Sequence, residues 1–306
     1  MSLMAVAIAW GARRFVKPRL AKSTLAELRR SADSMAKKSK SPKNTVVETI
    51  RIGELSAERL TPPGGDKGRV LLWFHGGGYV AGSPPMERDL VTRIAGASGT
   101  SALVPDYRLC PEHPLSASLE DALTAYRWQV RELGSSDQLV VGGSSAGGGL
   151  ALRLLGALRD AGDPLPAAAV VLSPLTDLAL TGPSMKSNLD SDPMISPGFI
   201  RMTLENLSGV PDRRDPSVSP LYADMSGFPP LLIHVSGDEL ILDDSVRVAE
   251  RARAAGAKVT LRVFPGLWHV FHGMANLPES RKAVKEIGEF VREHLANPRS
   301  RAVTPV

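Results

Sequence analysis

The sequence predicts an α/β protein whose mostly parallel sheet is covered by helices on both faces. Short, continuous apolar runs recur along the chain, and helix-forming stretches separate them. Strands that are buried on both faces have this appearance, which is typical of parallel sheets. A length of 306 residues with 43% hydrophobic residues suits one large domain, or a domain with a small lid.

Seven segments account for the predicted sheet. Residues 46–52 alternate between apolar and polar side chains, so we expect a strand with one solvated face. A cluster of Pro, Gly and Asp at residues 62–66 predicts a turn. The remaining strands are predicted at residues 70–74, 101–105, 138–141, 168–172, 231–235 and 259–263.

Two segments interrupt this alternation and divide the chain. Residues 1–44 end in a linker rich in Lys, Ser and Pro, and residues 179–225 are rich in Ser, Pro, Asp and Met. An insertion at 179–225 would lie over the carboxyl ends of the strands, where open α/β sheets bind ligands. We therefore predict a catalytic domain at residues 45–178 and 226–306, covered by a cap made of the other two segments.

The excess positive charge lies in residues 1–44, which we call the arm. The arm holds eleven Lys or Arg and two Asp or Glu, whereas the rest of the chain is slightly acidic. Basic groups confined to one arm, with only 5% aromatic residues in the chain, argue against nucleic-acid binding. Two main hypotheses for the arm stay open: an amphipathic helix that packs on the protein, or one that lies on an anionic membrane surface.

The apolar start of the arm differs from an export signal. Arg13 and Arg14 follow the apolar run, whereas a signal peptide has its charge before it. The run is also too short to span a bilayer. We expect a cytoplasmic protein, and an atypical export signal or a disordered tail are the remaining alternatives. The one cysteine, Cys110, excludes an internal disulfide and a multi-cysteine metal site, and we expect a structural thiol.

The pentapeptide Gly143–Gly147 predicts a catalytic nucleophile. It reads G-x-S-x-G with Ser145 at its centre, and it lies between an apolar strand and a helix-forming run. This strand, sharp turn and helix is the context in which the motif carries a nucleophilic serine. The following helix also points its amino terminus, where developing negative charge is stabilised, at the serine.

A serine hydroxyl needs a base, and the base needs a carboxylate to hold its tautomer. On this architecture the order along the chain should be Ser, Asp or Glu, then His. Asp238, which follows the strand at 231–235, is the predicted carboxylate. The predicted base is His269, which comes soon after the strand at 259–263, and His272 is its main competitor. The other carboxylates considered are Glu239, Asp243 and Asp244, and the last two resemble first-turn helix residues.

Three glycines after the strand at 70–74 predict an oxyanion hole. Successive glycines let backbone N–H groups turn toward one point, where they bind the negative oxygen of a tetrahedral intermediate. The predicted donors are the N–H groups of Gly77, Gly78 and Ala146, and His75 and Gly76 are expected to support the loop. A phosphate-binding loop would need a Gly-Lys-Ser/Thr ending, which is absent.

With these elements in order, the chain resembles the hormone-sensitive-lipase-like branch of the α/β-hydrolases, the bacterial family IV carboxylesterases. The similar residues are 75–79, 106–114, 143–148, 219–221, 237–239 and 269–271. The resemblance implies the α/β-hydrolase fold, a cap, no cofactor or metal, and hydrolysis of short- to medium-chain acyl esters. It also implies that a homodimer is a reasonable expectation, because members are often dimers.

Three positions depart from the family pattern. Ser144 stands where Asp or Thr is more frequent, Cys110 replaces the usual Ala, and the residues after Asp238 differ from the common Asp-Pro-Leu form. None of these removes a predicted catalytic group. We expect Tyr79 and Ser144 to line the substrate pocket.

The sequence therefore predicts a serine carboxylesterase that acts on a small ester through an acyl-enzyme. A lipase, an acyltransferase or an amidase using the same three groups are the alternatives within enzymes. A non-catalytic binding protein on this fold, of the kind found among related plant hormone receptors, is disfavoured because those relatives lack the histidine that this chain has at His269.

Overall fold

An eight-stranded sheet forms the centre of the protein. The computed structural model describes residues 1–296. The strand order is β1-β2-β4-β3-β5-β6-β7-β8, in which β1 and β2 are antiparallel to their neighbours and the other adjacent pairs are parallel. The strands are β1 (Val46–Ile52), β2 (Leu55–Thr61), β3 (Asp66–Phe74), β4 (Thr100–Pro105), β5 (Leu139–Ser144), β6 (Ala168–Leu172), β7 (Leu231–Ser236) and β8 (Val259–Phe264).

Helices cover both faces of this sheet, as the sequence predicted. Successive side chains of β3 point to opposite faces: Leu72 and Phe74 join one hydrophobic cluster, and Leu71 and Trp73 join another. The first cluster includes residues of α5, α6 and α9, and the second includes residues of α4 and α10. These helices are α4 (Pro84–Ser98), α5 (Leu115–Leu133), α6 (Ala146–Asp160), α9 (Leu242–Ala254) and α10 (Pro278–Ala296).

Each predicted strand overlaps an observed one, but β3 begins four residues before its predicted start, β5 ends three residues after its predicted end, and one strand was missed. Strand β2 lies between β1 and β4 in the sheet, and its polar residues Ser56, Glu58 and Arg59 interrupt the apolar pattern. The predicted turn cluster at residues 62–66 connects this strand to β3. The missed strand explains why the sheet has two antiparallel pairs at one edge.

The arm folds into helices α1 (Leu3–Gly11), α2 (Lys17–Ala21) and α3 (Leu25–Lys38), with a π-helical turn between the first two. The insertion contains helices α7 (Ser184–Ser187) and α8 (Pro197–Glu205). The two segments touch: Lys17 Nζ donates to the backbone oxygens of Leu189 at 2.5 Å and Asp192 at 2.8 Å. The proposed grouping of arm and insertion therefore has direct contacts to support it.

Helix α1 packs on the body of the protein, but its outward face is apolar. Ala5 and Ala9 are buried against Leu267, Trp268 and other residues of one hydrophobic cluster. The exposed apolar side chains of the arm are Met1, Leu3, Met4, Val6, Trp10, Phe15, Val16 and Met35. Among the helices in residues 1–296, none combines the length and apolar character that a membrane span requires.

Candidate active site

The nucleophile turn has the strained backbone that its motif predicts. Ser145 joins β5 to α6 with φ 53° and ψ −120°, a left-handed conformation that costs free energy for a residue with a side chain. Its N–H donates to the Leu172 carbonyl oxygen at 2.8 Å, which holds the turn against β6. A Cβ on Gly147 would lie 2.0 Å from the Phe74 carbonyl oxygen, so only glycine fits there.

The predicted base, His269, is paired with a buried carboxylate. Its Nδ1 lies 2.6 Å from Oε2 of Glu239, whose side chain is fully buried. Oε1 of the same carboxylate accepts hydrogen bonds from Ser173 Oγ at 2.6 Å and from the Ser236 N–H at 2.7 Å. Since an ionised carboxylate only accepts, Nδ1 must carry the proton, and Nε2 of a neutral ring is left with a free lone pair. This is the tautomer that a general base requires.

The prediction that Asp238 orients the base is wrong in this geometry. Oδ1 of Asp238 accepts from the Gly266 N–H at 3.0 Å, and Oδ2 is 3.6 Å from an Arg13 nitrogen. The hydrogen bond from the Ser236 N–H folds Glu239 back over the end of β7, while its neighbour in the turn points away. Adjacent residues of a turn project in different directions, so the two carboxylates could not be told apart by spacing alone.

The same carboxylate sets the charge preference of the base. Burial disfavours the imidazolium, but the negative charge of Glu239 and its hydrogen bond outweigh this effect, so the pKa of His269 is raised above 6.5. His272, the competitor, has a different environment. It is buried beside His234, with 3.2 Å between Nε2 of the former and Nδ1 of the latter, and burial lowers its pKa well below 6.5.

The glycine loop after β3 has the conformation of a tight turn. Gly77 and Gly78 have φ values of 124° and 66°, which favour glycine. His75 is buried, its Nδ1 lies 2.8 Å from the Gly76 carbonyl oxygen, and its ring stacks on Tyr107 at 4.2 Å. His75 therefore packs beside the loop, and its role in supporting the loop stays a prediction.

The glycine loop and Ala146, which together make up the predicted oxyanion hole, lie close to each other. Ala146, the third predicted donor, is the first residue of α6. Strands β3 and β5 are neighbours, and Phe74 pairs with Gly143 at their carboxyl ends. The glycine loop and the nucleophile turn therefore begin side by side. Thr203 of α8 contacts the loop at Gly78, so the insertion reaches this site.

Two predicted pocket residues are buried instead. Tyr79 is 1% exposed, its hydroxyl lies under Gly149 of α6, and its ring faces the Arg153 guanidinium. Ser144 is also 1% exposed, and its hydroxyl donates to the carboxylate of Glu87. Neither side chain is on the wall of an open pocket, because both point into the core below the turn. Cys110 is a buried free thiol, as predicted.

The insertion holds the loop that carries the acidic residue. Asn188 Nδ2 donates to the carbonyl oxygens of Gly237 at 3.0 Å and Glu239 at 2.8 Å. Asp192 Oδ2 accepts from the Leu240 N–H at 2.8 Å. The geometry of the base and its carboxylate therefore depends on the insertion as well as on the sheet.

Sequence reasoning missed Glu87 and Ser173 and ranked Glu239 second. Only Glu239 carried a usable signal, because it lies beside the predicted acid after a strand. Glu87 lies in the first turn of α4 and Ser173 follows β6, positions at which a polar residue is ordinary. Among residues 1–296, no group of three His, Cys, Asp or Glu side chains is arranged to hold a metal ion.

The sequence and the fold are similar to those of known proteins. The family model described as the alpha/beta hydrolase fold matches residues 71–273. An acetyl-hydrolase of Streptomyces hygroscopicus is 39% identical over 246 residues, which are 80% of this chain and 82% of that one. A solved esterase/lipase from an uncultured bacterium has a TM-score of 0.91 and 38% identity, over 97% of this chain and 100% of that one. A solved esterase from the bacterial hormone-sensitive lipase family has a TM-score of 0.90 and 37% identity, over 96% and 99%.

A parallel sheet with a strained serine turn, a histidine after the last strand and a glycine loop beside the turn defines an α/β-hydrolase. The chain belongs to the α/β-hydrolase family. Within it, the chain is a carboxylic ester hydrolase of the hormone-sensitive-lipase-like branch, as the resemblance implied.

Proposed function

We propose that the protein hydrolyses short- to medium-chain carboxylic esters with Ser145 as nucleophile, His269 as base and Glu239 as the carboxylate that orients the base. The observation that carries this assignment is the 2.6 Å contact between His269 Nδ1 and Glu239 Oε2. It joins the histidine predicted from the sequence to a buried acceptor that fixes its tautomer. The strained turn at Ser145 supplies the nucleophile.

The reaction has two halves that use the same groups. Ser145 Oγ attacks the ester carbonyl carbon while His269 Nε2 takes its proton, and Glu239 stabilises the imidazolium that forms. The imidazolium then gives this proton to the departing alcohol, which leaves an acyl-enzyme. Water attacks the acyl carbon in the second half, with His269 taking a proton from the water and returning it to Ser145 Oγ.

The backbone N–H groups of Gly77, Gly78 and Ala146 bind the oxyanion in both halves. Such a donor acts most strongly on charge that develops in the transition state, and losing one costs about 2.7–4 kcal/mol of transition-state stabilisation. The left-handed glycine loop and the first turn of α6 bring these groups to adjacent strand ends.

The names of two relatives support the short- to medium-chain preference. One relative is named an acetyl-hydrolase, and another, from Pseudomonas putida, is named an ethyl acetate hydrolase. A cap at 1–44 and 179–225 over a catalytic domain at 45–178 and 226–306 would limit the acyl chain that can enter. Residues 297–306 of that proposed domain lie outside the described residues.

The test is hydrolysis of p-nitrophenyl esters from acetyl to palmitoyl by the wild type, Ser145→Ala and Ser226→Ala. Ser226 lies in an exposed turn, so its variant is the matched control for losing a hydroxyl. We expect the control to keep full activity and Ser145→Ala to lose it. Undiminished activity of Ser145→Ala would overturn the mechanism. A preference for emulsified long chains would indicate a lipase, and faster transfer to amines or alcohols than to water would indicate an acyltransferase.

A second proposal concerns the arm, which we infer makes peripheral contact with an anionic membrane surface. Its exposed apolar side chains include Leu3 at 89%, Trp10 at 64% and Phe15 at 64% exposure, and Arg14 lies over the ring of Phe15. Clusters of apolar and basic side chains on one surface are typical of helices that lie in the interface of anionic bilayers.

Sedimentation with phosphatidylglycerol vesicles tests the arm. We expect the double variant Trp10→Ser with Phe15→Ser to bind at least about tenfold more weakly, because burying each ring contributes about 1.5–3 kcal/mol. The control is Val46→Ser with Val47→Ser, which removes exposed apolar side chains from β1. Equal binding by all three proteins, or no binding by the wild type, would contradict the proposal. A homodimer and a cytoplasmic location stay predictions, which light scattering and cell fractionation test.

A further inference from the structure

A second buried carboxylate lies beneath the catalytic groups. Glu87 of α4 is buried, and three donors point at it. Oε2 accepts from Trp73 Nε1 at 2.7 Å, and Oε1 accepts from the Gly76 N–H at 2.7 Å and from the Ser144 hydroxyl. No step of the proposed reaction uses this side chain.

The three donors come from three different parts of the site. Trp73 lies in β3, Gly76 opens the glycine loop, and Ser144 precedes the nucleophile. One carboxylate therefore joins the loop that binds the oxyanion to the turn that attacks the substrate. The relative position of these two elements decides catalysis, since donors must lie about 2.7–3.1 Å from the developing oxyanion.

The contact with Gly76 also fixes the orientation of the loop backbone. Because the Gly76 N–H points at Glu87, the peptide before it is held against α4. The left-handed residues Gly77 and Gly78 follow directly, so the orientation of their peptide groups depends on how the Gly76 backbone is held. Ser144 Oγ lies 3.0 Å from where a Cβ on Gly76 would be, so loop and turn are in contact here.

The acceptor oxygens of Glu87 are matched to the unusual residue before the nucleophile. Burial raises the pKa of Glu87 above its usual value, and the hydrogen bonds from Ser144, Gly76 and Trp73 limit this rise. A hydroxyl at position 144 donates to the carboxylate. An Asp there, which is more frequent in the family, would place two carboxylates in contact away from water, which is strongly unfavourable.

We propose that Glu87 is a positioning residue that holds the oxyanion loop and the nucleophile turn in register, and that Ser144 is the donor matched to it. The proposal rests on the proposed catalytic role of Ser145. It concerns the rate of the chemical step, because neither side chain reaches the surface where substrate binds.

The experiment is a double-mutant cycle with Glu87→Gln, Ser144→Asp and the combined variant, measured as kcat and KM on p-nitrophenyl butyrate. In Glu87→Gln an NH₂ group, which is a donor, replaces one of the two carboxylate oxygens. The side chain therefore cannot accept hydrogen bonds from all three donors. We expect kcat to fall about 10- to 100-fold with KM changed less than about threefold, because misplacing an oxyanion donor costs up to about 10²–10³-fold in kcat. Ser144→Asp should lose about 100-fold or more.

The combined variant is the decisive measurement. In this variant the carboxylate is at position 144 and the amide at position 87 donates to it. The kcat of the combined variant should therefore be at least about tenfold higher than that of Ser144→Asp alone. Glu120→Gln, which removes an exposed carboxylate paired with Arg108, is the control and should keep the wild-type kcat. Ser144→Ala, the mildest variant, should lower kcat about 3- to 10-fold and serves if Glu87→Gln fails to fold.

Two results would overturn the proposal: a kcat for Glu87→Gln or Ser144→Ala within about twofold of wild type, or losses that multiply in the combined variant. Lower thermal stability of either single variant with an unchanged kcat would also overturn the proposal, because it would show a structural role alone. Ser145→Ala in the same assay separates this outcome from failure of the esterase mechanism, since its inactivity does not depend on Glu87.

Discussion

Glu239→Gln separates the two adjacent carboxylates that compete for the role of orienting the base. The change keeps the size of the side chain. A Gln carbonyl oxygen in place of Oε1 still accepts from Ser173 Oγ and the Ser236 N–H, so the fold loses little. The amide NH₂ then occupies the place of Oε2 and faces His269 Nδ1. Since NH₂ is a donor, Nδ1 must become the acceptor, and the ring proton moves to Nε2.

A histidine in that tautomer cannot take the proton from Ser145. The same tautomer change in other serine hydrolases lowers kcat about 10⁴-fold, which corresponds to about 5.4 kcal/mol in the barrier. Asp238→Asn is the matched control. It keeps an acceptor for the Gly266 N–H and loses only a partly exposed 3.6 Å ion pair with Arg13, worth about 0–1 kcal/mol.

The assay is initial-rate hydrolysis of p-nitrophenyl butyrate at saturating substrate, with circular dichroism of each variant to check folding. We expect Asp238→Asn to lie within about threefold of wild type. A Glu239→Gln enzyme within about tenfold of wild type, or an Asp238→Asn enzyme that loses as much as Glu239→Gln, would refute the reasoning.

Four further expectations follow from the same structure. The acid limb of kcat/KM should have its midpoint above pH 6.5, since only neutral His269 is a base and its pKa is raised, and in Glu239→Gln any residual activity should show a lower midpoint. His234→Phe should reduce the pH dependence of unfolding free energy by about 1.4 kcal/mol per pH unit between pH 6 and 4, measured by urea denaturation. Burial lowers the pKa of His234 to about 3. Below pH 6.5 the unfolded chain therefore binds a proton that the native state does not, and the free energy of unfolding decreases as the pH is lowered. Gly147→Ala should prevent folding or cost several kcal/mol by thermal melting, because its Cβ meets the Phe74 carbonyl oxygen. Gly156→Ala, in the same helix with open space around it, should raise stability by about 0.5–1 kcal/mol.

The sequence predicted the parts of the molecule that depend on local patterns. Continuous apolar runs gave the parallel strands, and the motif at Gly143–Gly147 gave the nucleophile turn, because both are encoded in consecutive residues. Strand β2 was missed because its polar residues Glu58 and Arg59 obscure the pattern.

The side-chain partners of the site could not be predicted in the same way. Whether Asp238 or Glu239 faces the base depends on how one turn folds back over β7, and both residues satisfy the spacing. Glu87 reaches Ser144 across 57 positions of sequence, and nothing local marks a helix glutamate as buried. The wrong placements of Tyr79 and Ser144 have the same origin, because proximity in sequence to the loop and turn says nothing about the direction of a side chain.

The contacts of the arm have a consequence for how the protein is made. Ser2 Oγ lies 3.0 Å from Glu279 Oε2, and these residues are 277 positions apart. At about 5–20 residues per second, the ribosome adds Glu279 roughly 14 to 55 seconds after Ser2. Trp268, against which α1 packs, is also synthesised long after the arm. The arm therefore lacks these packing partners throughout that interval, and its apolar side chains are then open to chaperones that bind hydrophobic segments.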